Sequence, residues 1–355
     1  MKHIKIGTHL IGQGHPTFII AELSGNHNQD YKRAVKLIEE MARAGVDAIK
    51  LQTYTPDTMT LNSDKPWFRV KGKDIPEEWK GKTLYQLYQT AYTPWDWQPK
   101  LKKIAGDCGL LLFSAPFDET AVDFLERMDV PCYKIASYEM TDTLLLKKVA
   151  STKKPVIISR GMASKQEIAL ALRTLRINGA KDIVLLHCVS SYPAKPEDMN
   201  LLTIPDLRKR FNVITGLSDH SLGIEVALAS VVLGAKAIEK HVTLARADGG
   251  PDSSFSLEPQ EMAQLVRGVR NVEKALGRPH YGASGAMEKR EKNARRSLWV
   301  VKDIRKGERF TKDNIRSVRP GYGLPVKYFE TVIGKLATKD IKEHTPLALK
   351  MVKIR

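Results

Sequence analysis

Residues 213–243 read VITGLSDHSLGIEVALASVVLGAKAIEKHVT, and this stretch contains the unit from which the fold is built. Its two ends, Val213–Asp219 and Lys236–Thr243, are short runs rich in apolar and β-branched residues, a composition typical of strands. The intervening Gly223–Gly234 has the length and apolar content of a helix. A strand, a helix and a second strand in this order predict a βαβ unit with parallel strands.

The same alternation recurs along most of the chain. Eight segments have the short, nearly continuous apolar composition of strands buried on both faces: Thr17–Glu22, Asp47–Gln52, Leu110–Ala115, Cys132–Ser137, Pro155–Ser159, Ile183–Val189, Val213–Asp219 and Lys236–Thr243. Helices are expected at Tyr31–Ala44, Glu119–Met128, Lys165–Asn178, Gly223–Gly234 and Pro259–Leu276. This pattern predicts an α/β fold of the (β/α)8 TIM-barrel type. A doubly wound open sheet is the alternative, and it is disfavoured because no glycine-rich dinucleotide fingerprint follows the first strand.

An insertion and a linker interrupt the pattern and define the domains. We expect a barrel domain over residues 1–280, a polar linker over 281–296 and a small, mostly β domain over 297–355. Residues 54–94 form a long insertion after the second strand, and its aromatic residues are Trp67, Phe68, Trp79, Tyr85, Tyr88 and Tyr92. Such an insertion is either a lid over a binding site or a subdomain that packs its own aromatic side chains, and the two interpretations are compatible.

Composition limits the function without deciding it. The chain has 355 residues and a formal net charge of +17, which suits anionic ligands, nucleic acid or a membrane surface. The basic stretch 288–319 favours nucleic acid, but no nucleic-acid-binding motif is visible and the basic excess is spread along the chain. The longest apolar run, around Val226–Ala235, is too short to span a bilayer. We expect a cytoplasmic protein that binds neither nucleic acid nor membrane, because no signal-peptide core is visible and the three cysteines are scattered: Cys108, Cys132 and Cys188.

Polar and ionisable residues lie at the carboxyl ends of the predicted strands, or just after them. They are Glu22, Lys50, Gln52, Ser114, Lys134, Ser137, Ser159, His187, Ser218, Asp219, His220, Glu239, Lys240 and His241. In a barrel these ends share one face, where active sites are built from several strands. The sequence therefore predicts an active site at this face.

Two histidines in this set have metal-binding chemistry. His220 and His241 follow adjacent predicted strands, and neutral imidazoles in that position can bind a divalent metal. Asp219, Glu239 and Asp252 are nearby carboxylates that complete a mixed nitrogen and oxygen ligand set. The alternatives are that both histidines are structural and that Asp219 caps the following helix.

Three predicted strand lysines, Lys50, Lys134 and Lys240, allow more than one function. Buried ammonium groups need counter-charges, so a cradle for phosphate and carboxylate is the first interpretation. A Schiff base on one lysine is the second, and lysines that extend to the barrel rim are the third. Glu22 is a candidate general acid or base, or a ligand for sugar hydroxyls, and Asn28 is a candidate cap of the helix that begins near Tyr31.

With these residues in view, the sequence resembles the bacterial nonulosonic (sialic) acid synthase family over nearly its whole length. The resemblance rests on the ordered motifs IIAELSGNHN, IKLQTY, FSAPFD, YKIASYE, HCVSSYP, GLSDH, IEKHVT, GPD and RPGYGL. Within the family, the ELSGNHNQ form and the aromatic insertion are most similar to the branch that makes pseudaminic acid. The resemblance implies a TIM barrel followed by an antifreeze-like (SAF) domain, in a homodimer whose C-terminal domain reaches the partner's active site.

The resemblance also implies a reaction. Phosphoenolpyruvate condenses with an open-chain acetamido sugar, here 2,4-diacetamido-2,4,6-trideoxy-altrose, to give a nine-carbon acid and phosphate. Synthases of the same family for N-acetylneuraminate, legionaminate or spore-coat polysaccharide are the alternatives, ahead of a Schiff-base aldolase or a nucleic-acid-binding protein.

The family motifs assign roles to individual residues. His220 and His241 would ligate a divalent metal, Mn²⁺ or else Mg²⁺ or Co²⁺, and Glu22 would manage the proton or water at C2 of phosphoenolpyruvate. The substrates would contact Lys50, Gln52, Lys134, Ser137, Glu139, Ser159, Ser190, Tyr192, Ser218 and Asp252, with Arg319 entering from the partner chain. Arg160 departs from the threonine common in the family, and either binds phosphate or points outward.

Overall fold

The computed structural model describes residues 3–71 and 79–354. The chain forms two compact units, Met1–Gly277 and Arg278–Arg355. The larger unit begins with an antiparallel hairpin of β1 (His3–Ile6) and β2 (His9–Gly12). Eight parallel strands then close into a barrel: β3 (Phe18–Glu22), β4 (Ala48–Thr53), β5 (Leu111–Pro116), β6 (Tyr133–Ile135), β7 (Val156–Ser159), β8 (Ile183–Cys188), β9 (Ile214–Asp219) and β10 (Ala237–His241). The predicted TIM barrel is confirmed.

Helices alternate with these strands. They are α1 (Tyr31–Ala44), α2 (Pro56–Met59), α3 (Leu84–Ala91), α4 (Gln98–Asp107), α5 (Glu119–Arg127), α6 (Thr143–Ser151), α7 (Lys165–Ile177), α8 (Thr203–Phe211), α9 (Glu225–Val232) and α10 (Pro259–Leu276). Five of them, α1, α5, α7, α9 and α10, lie where the sequence predicts a helix. Barrel strands are buried along nearly their whole length, which explains why their sequences are continuous apolar runs rather than alternating ones.

Helix α1 shows how local sequence sets an element boundary. The helix begins after Asp30, whose carboxylate accepts hydrogen bonds from the backbone N–H groups of Lys32 and Arg33. It ends at Gly45, whose φ of 84° lies in the left-handed region that glycine adopts without strain. The expectation that Asn28 caps this helix is wrong, because its side-chain amide instead donates to backbone carbonyls of the loop after β10.

In its described residues the insertion at 54–94 contains α2, α3 and a short 3-10 helix at Pro66–Phe68, and its residues 72–78 lie outside the described part of the chain. Helix α2 and helix α3 each begin with a capping box, in which Thr55 pairs with Thr58 and Thr83 pairs with Gln86. These reciprocal hydrogen bonds satisfy the free N–H groups of a first turn and fix where each helix starts.

The smaller unit is mostly β, as the sequence predicts. Its elements are α11 (Ala286–Arg290), β11 (Ser297–Val300), β12 (Ile315–Val318), β13 (Leu324–Pro325), α12 (Phe329–Val332), β14 (Leu336–Ala337) and β15 (Val352–Lys353). Strand β11 pairs with β12 and β13, and β14 pairs with β15, all antiparallel. This unit has its own apolar core. No helix over residues 3–71 and 79–354 is both long and apolar enough to cross a bilayer.

Candidate active site

A cavity of about 360 Å³ opens at the carboxyl ends of the barrel strands. The strand-end and motif residues that the sequence singles out and that line it are Lys50, Gln52, Lys134, Ser137, Glu139, Ser159, Tyr192, Ser218, His220, Glu239, His241 and Asp252. Ser137 follows β6 and precedes a short 3-10 helix at Tyr138–Thr141 rather than extending the strand as predicted, and it still lines the cavity. The barrel therefore brings side chains from six strands and the loops that follow them to one place.

Two lysines and two carboxylates form a buried ionic network at the base of this cavity. Lys50 Nζ lies 2.5 Å from Glu22 Oε2 and 3.6 Å from Glu239 Oε1, and Lys134 Nζ lies 3.5 Å from the same Glu239 oxygen. All four side chains are almost fully buried. Glu22 sits behind Lys50 and is not part of the cavity lining. From the sequence, Glu239 is a candidate metal ligand only, and its place as the shared partner of both lysines is visible in the structure alone.

The pKa values of the two lysines in this network shift in opposite directions. Burial acts to lower the pKa of Lys50, but the charges of Glu22 and Glu239 outweigh burial and leave this pKa above its ordinary value. For Lys134, burial together with the nearby Lys50 outweighs Glu239, so the pKa of Lys134 lies below its ordinary value. Burial acts to raise the pKa of Glu239, but the charges of both lysines outweigh burial. The pKa of Glu239 therefore lies below its ordinary value, and the carboxylate stays ionised. A substrate anion beside Lys134 would supply the counter-charge that it lacks.

The third predicted lysine of the cradle does not face the cavity. Lys240 Nζ lies 2.8 Å from Asp219 Oδ2 and also donates to the Ser221 carbonyl, and both charged side chains are fully buried. The physical reason is strand geometry, since Lys240 lies between Glu239 and His241 and successive side chains of a strand point to opposite faces. Asp219 is therefore the partner of Lys240 and neither a metal ligand nor a helix cap.

His220 and His241 lie side by side in the cavity wall, with ring centroids 5.3 Å apart. His220 Nδ1 is 2.9 Å from the Val189 carbonyl oxygen and therefore donates to it, while His241 Nδ1 faces Asp252 Oδ2 at 3.5 Å. These contacts orient both rings and leave each Nε2 available as a ligand. No group of three His, Cys, Asp or Glu side chains suited to a metal occurs within residues 3–71 and 79–354. The residues present fit a metal held by two imidazoles, with the other positions left for water or substrate.

Serine hydroxyl groups line the end of the cavity nearest Lys134. Ser137 Oγ and Ser190 Oγ are 2.8 Å apart, so Ser190 adjoins the cavity through Ser137. Ser218 Oγ lies 3.4 Å from Glu239 Oε1. Ser159 Oγ is buried and has no hydrogen-bond partner among the described residues. Buried hydroxyls are normally satisfied, so this end of the cavity is suited to an anionic oxygen acceptor.

Arg160 is held by the barrel rather than directed into the cavity. Its Nε and Nη2 atoms lie 3.1 and 3.0 Å from His187 Nδ1, and its Nη1 donates to the Gly161 carbonyl at 2.9 Å. His187 Nε2 in turn contacts the Met199 carbonyl. Burial lowers the pKa of His187 to about 4, so the ring is neutral and accepts from Arg160. The sequence predicts His187 at the active-site face of the barrel. In the structure it is instead a structural partner of Arg160.

Two further carboxyl groups, those of Glu139 and Asp252, border the cavity, and they differ in their hydrogen bonding. Glu139 Oε2 is buried and has no hydrogen-bond partner in the described part of the chain, and burial raises the pKa of Glu139 to about 7. Asp252 accepts a hydrogen bond from the hydroxyl of Ser24. Gln52 Nε2 donates to Glu22 Oε1 at 3.1 Å. Of these groups, Glu139 is suited to exchange a proton near neutral pH.

The opposite side of the cavity is apolar and comes largely from the insertion. Its lining residues are Tyr54, Met59, Val70, Trp79, Leu84, Leu87, Tyr88, Ala91 and Phe117. The aromatic composition of residues 54–94 was the signal in the sequence, although Leu84 and Leu87 were not identified from it. Arg319 belongs to the smaller unit, where it is exposed in the loop between β12 and β13, so its role in a partner's site stays a prediction.

The closed barrel, the cationic and hydroxyl-lined cavity and the following small β unit together define a class of protein. Residues 37–281 match the NeuB family and residues 295–353 match the SAF domain. This chain belongs to the NeuB family.

Individual relatives narrow the comparison. The chain is 45% identical to pseudaminic acid synthase from Campylobacter jejuni, over 92% of this chain and 93% of that protein. It is 40% identical to pseudaminic acid synthase from Helicobacter pylori, over 94% of this chain and 97% of that protein. Among solved structures, N-acetylneuraminic acid synthetase from Leptospira borgpetersenii is similar with a TM-score of 0.71 and 34% identity, covering 82% of this chain and 95% of that one.

Proposed function

We propose that this chain condenses phosphoenolpyruvate with 2,4-diacetamido-2,4,6-trideoxy-altrose to give pseudaminic acid and phosphate. The observation that carries the proposal is the cavity itself, in which Lys50 and Lys134 face a cluster of hydroxyls beside the imidazoles of His220 and His241. An anion and an aldehyde held together in such a site meet the two needs of the reaction, which are charge stabilisation and correct orientation. The similarity to pseudaminic acid synthases supports this acceptor over those of the related synthases.

The charged end of the cavity is where phosphoenolpyruvate would bind. Lys134 lacks a full counter-charge, and Ser159 has a buried hydroxyl without a partner in the described residues. Together with Ser137, Ser190 and Ser218 these groups offer an ammonium and several O–H donors to phosphate and carboxylate oxygens. Such charge-assisted hydrogen bonds are among the strongest that a protein makes.

His220 and His241 would hold a divalent metal, with Mn²⁺ proposed ahead of Mg²⁺ or Co²⁺. When bound, the metal polarises the aldehyde oxygen of the sugar as a Lewis acid. The chain's own residues do the rest of the work on that side: Asp252 orients His241, and the Val189 carbonyl orients His220.

The bond changes balance as follows. C3 of phosphoenolpyruvate forms a bond to the aldehyde carbon, and the aldehyde oxygen takes a proton. Water adds at C2 and loses one proton, and phosphate then leaves with the bridging oxygen as the C2–O bond breaks, while the C2 hydroxyl gives up its proton and becomes the keto group. Glu22 contacts Lys50 and Gln52, which line the cavity, and through these two side chains it is proposed to manage the water and its proton at C2. Glu139, with a pKa near 7, is proposed to exchange a proton on the sugar side.

The proposal includes the assembly and the location. Arg319 is proposed to enter the active site of a second copy of the chain and to donate hydrogen bonds to the sugar, in a homodimer. A cytoplasmic location suits three cysteines that are all unpaired, one of them exposed. Binding of nucleic acid or membrane forms no part of this function.

A phosphate-release assay tests the function. Phosphoenolpyruvate is supplied with a panel of acetamido sugars that includes the altrose derivative, N-acetylmannosamine and the legionaminate precursor, each with and without Mn²⁺. Metal-dependent phosphate release with the altrose derivative as the best acceptor is expected. Full activity in EDTA combined with inactivation by borohydride in the presence of substrate would instead identify a Schiff-base aldolase.

A further inference from the structure

The loop of residues 24–29, here called the SGNHNQ loop, is bonded to the end of the insertion. Gln29 Nε2 donates to the Tyr92 carbonyl at 2.5 Å, just after α3 ends. His27 Nδ1 accepts from the backbone N–H of Gln29, so His27 Nε2 carries the proton and donates to Thr93 Oγ1 at 3.1 Å. Burial lowers the pKa of His27 to about 4, which keeps this ring neutral. Two side chains of the loop thus hold the segment that follows α3.

The same loop is fixed to the barrel and approaches α3 closely. Asn26 Nδ2 donates to the Val242 carbonyl and to Ser256 Oγ, both at 2.9 Å. A Cβ atom on Gly25 would lie 2.9 Å from the Ala91 carbonyl oxygen, which is nearer than side chains tolerate. Only glycine therefore lets the end of α3 pack against this loop, and the loop links α3 to the rigid barrel.

Helix α3 presents one face to the cavity. Leu84, Leu87, Tyr88 and Ala91 all line it, and their spacing of three and four residues places them on a single helix face. The ring of Tyr88 packs against Tyr54 with centroids 5.7 Å apart. The ionic network and the serine hydroxyls come from the barrel strands and the loops after them, whereas this apolar face comes from the insertion, so it is left for the part of the acceptor that carries no charge.

We propose that α3 selects the acceptor, and that His27, Gln29 and Gly25 are positioning residues that set the place of α3 in the site. This inference rests on the proposed function. The class of acceptor that fits is an acetamido sugar whose far end is a methyl group, because a hydroxymethyl group against Leu84 and Leu87 would lose its hydrogen bonds to water. The SGNHNQ loop and the insertion thereby act together on the position of α3.

A first experiment changes the apolar face. Leu87→Asn is compared with Gln89→Asn, which lies on the exposed face of the same helix. The ratio of kcat/KM for a 6-deoxy acceptor to that for its 6-hydroxy counterpart is expected to fall about tenfold in Leu87→Asn, with the KM for phosphoenolpyruvate unchanged. Gln89→Asn is expected to keep the wild-type ratio. Leu84→Gln, at a half-buried position, is the second variant should Leu87→Asn fail to fold.

A second experiment moves the helix without touching its cavity face. Gly25→Ala is compared with Gly106→Ala, where a Cβ atom meets open space. We expect the KM for the acceptor to rise several-fold in Gly25→Ala and not in Gly106→Ala. The KM for phosphoenolpyruvate is expected to stay unchanged in both variants. Wild-type acceptor ratios in the folded Leu87→Asn or Leu84→Gln enzyme, together with an unchanged acceptor KM in Gly25→Ala, would overturn the inference. An absence of turnover by the wild-type enzyme with every acetamido sugar would instead refute the proposed function.

Discussion

Lys134 in β6 and Lys240 in β10 are both buried lysines of barrel strands, and they differ in what they face. Lys240 is paired with Asp219 and the Ser221 carbonyl outside the cavity, whereas Lys134 lines the cavity and shares Glu239 with Lys50. A buried ion pair is costly to break from one side, because the remaining charge is left without compensation. We therefore expect Lys240 to have a structural role and Lys134 to bind substrate.

Replacing each lysine by methionine tests this separation. Lys240→Met leaves Asp219 unpaired and is expected to lower the free energy of unfolding by about 3 kcal/mol, with kcat/KM for phosphoenolpyruvate retained in the folded fraction. Lys134→Met is expected to lower that kcat/KM by about a hundredfold. Urea unfolding and steady-state kinetics measure both effects. An equal loss of kcat/KM for phosphoenolpyruvate in the two variants would contradict the assignment of Lys134, rather than Lys240, to substrate binding.

The buried carboxyl group of Glu139 is expected to make the stability of the ligand-free protein depend on pH. Because its pKa rises from 4.5 to about 7 on folding, the folded chain binds this proton more tightly than the unfolded chain. The contribution to stability is therefore fully present below about pH 4.5 and is lost as the pH rises to about 7. Relative to Glu139→Gln, the wild-type free energy of unfolding is expected to fall by up to about 3 kcal/mol across this range. Parallel pH profiles for the two proteins would contradict the assignment.

At the scale of elements, β9 and β10 bring the two imidazoles together. The strands pair in parallel, with Ser218 opposite Glu239 and Asp219 opposite Lys240, so His220 and His241 extend from adjacent strand ends. Metal binding then depends on strand pairing as much as on the two side chains.

Mn²⁺ binding to the protein without substrates tests this arrangement. His220→Gln and His241→Gln are each expected to weaken Mn²⁺ binding by more than tenfold, measured by electron paramagnetic resonance of free Mn²⁺. His187→Gln is the matched control, since His187 is buried against Arg160 and the Met199 carbonyl. Wild-type Mn²⁺ affinity in either cavity variant, with normal circular dichroism, would place the metal elsewhere.

The elements of the barrel were largely predictable from sequence, because strands buried on both faces are continuous apolar runs. The side-chain partners were less predictable, since they depend on which face of a strand each residue occupies. Lys240, His187 and Ser114 were all predicted at the active-site face of the barrel, yet none of them lines the cavity. Lys240 bonds to Asp219, His187 to Arg160 and Ser114 to Thr53. Glu239 was missed as the shared counter-charge because two lysines distant in sequence meet it only after the barrel closes.

At the scale of the whole molecule, the proposed dimer predicts complementation between two inactive variants. Arg319→Ala removes the group proposed to reach the partner's site, and Lys134→Met disables the barrel site. Mixed and reassembled, the two are expected to recover activity, because some dimers then combine an intact barrel with an intact Arg319 loop. Wild-type sugar KM in Arg319→Ala, or no recovery on mixing of dimers shown to exchange subunits, would rule out this arrangement.

The fate of oxygen in the reaction tests the central claim most directly. Phosphoenolpyruvate and 2,4-diacetamido-2,4,6-trideoxy-altrose are incubated with the Mn²⁺-loaded protein in H₂¹⁸O, and mass spectrometry follows both products. We expect a nine-carbon acid that contains all the carbons of the sugar and of pyruvate, together with phosphate free of ¹⁸O, because water attacks C2 and the C–O bond breaks. Labelled phosphate, or phosphate and pyruvate without the nine-carbon acid, would contradict the account.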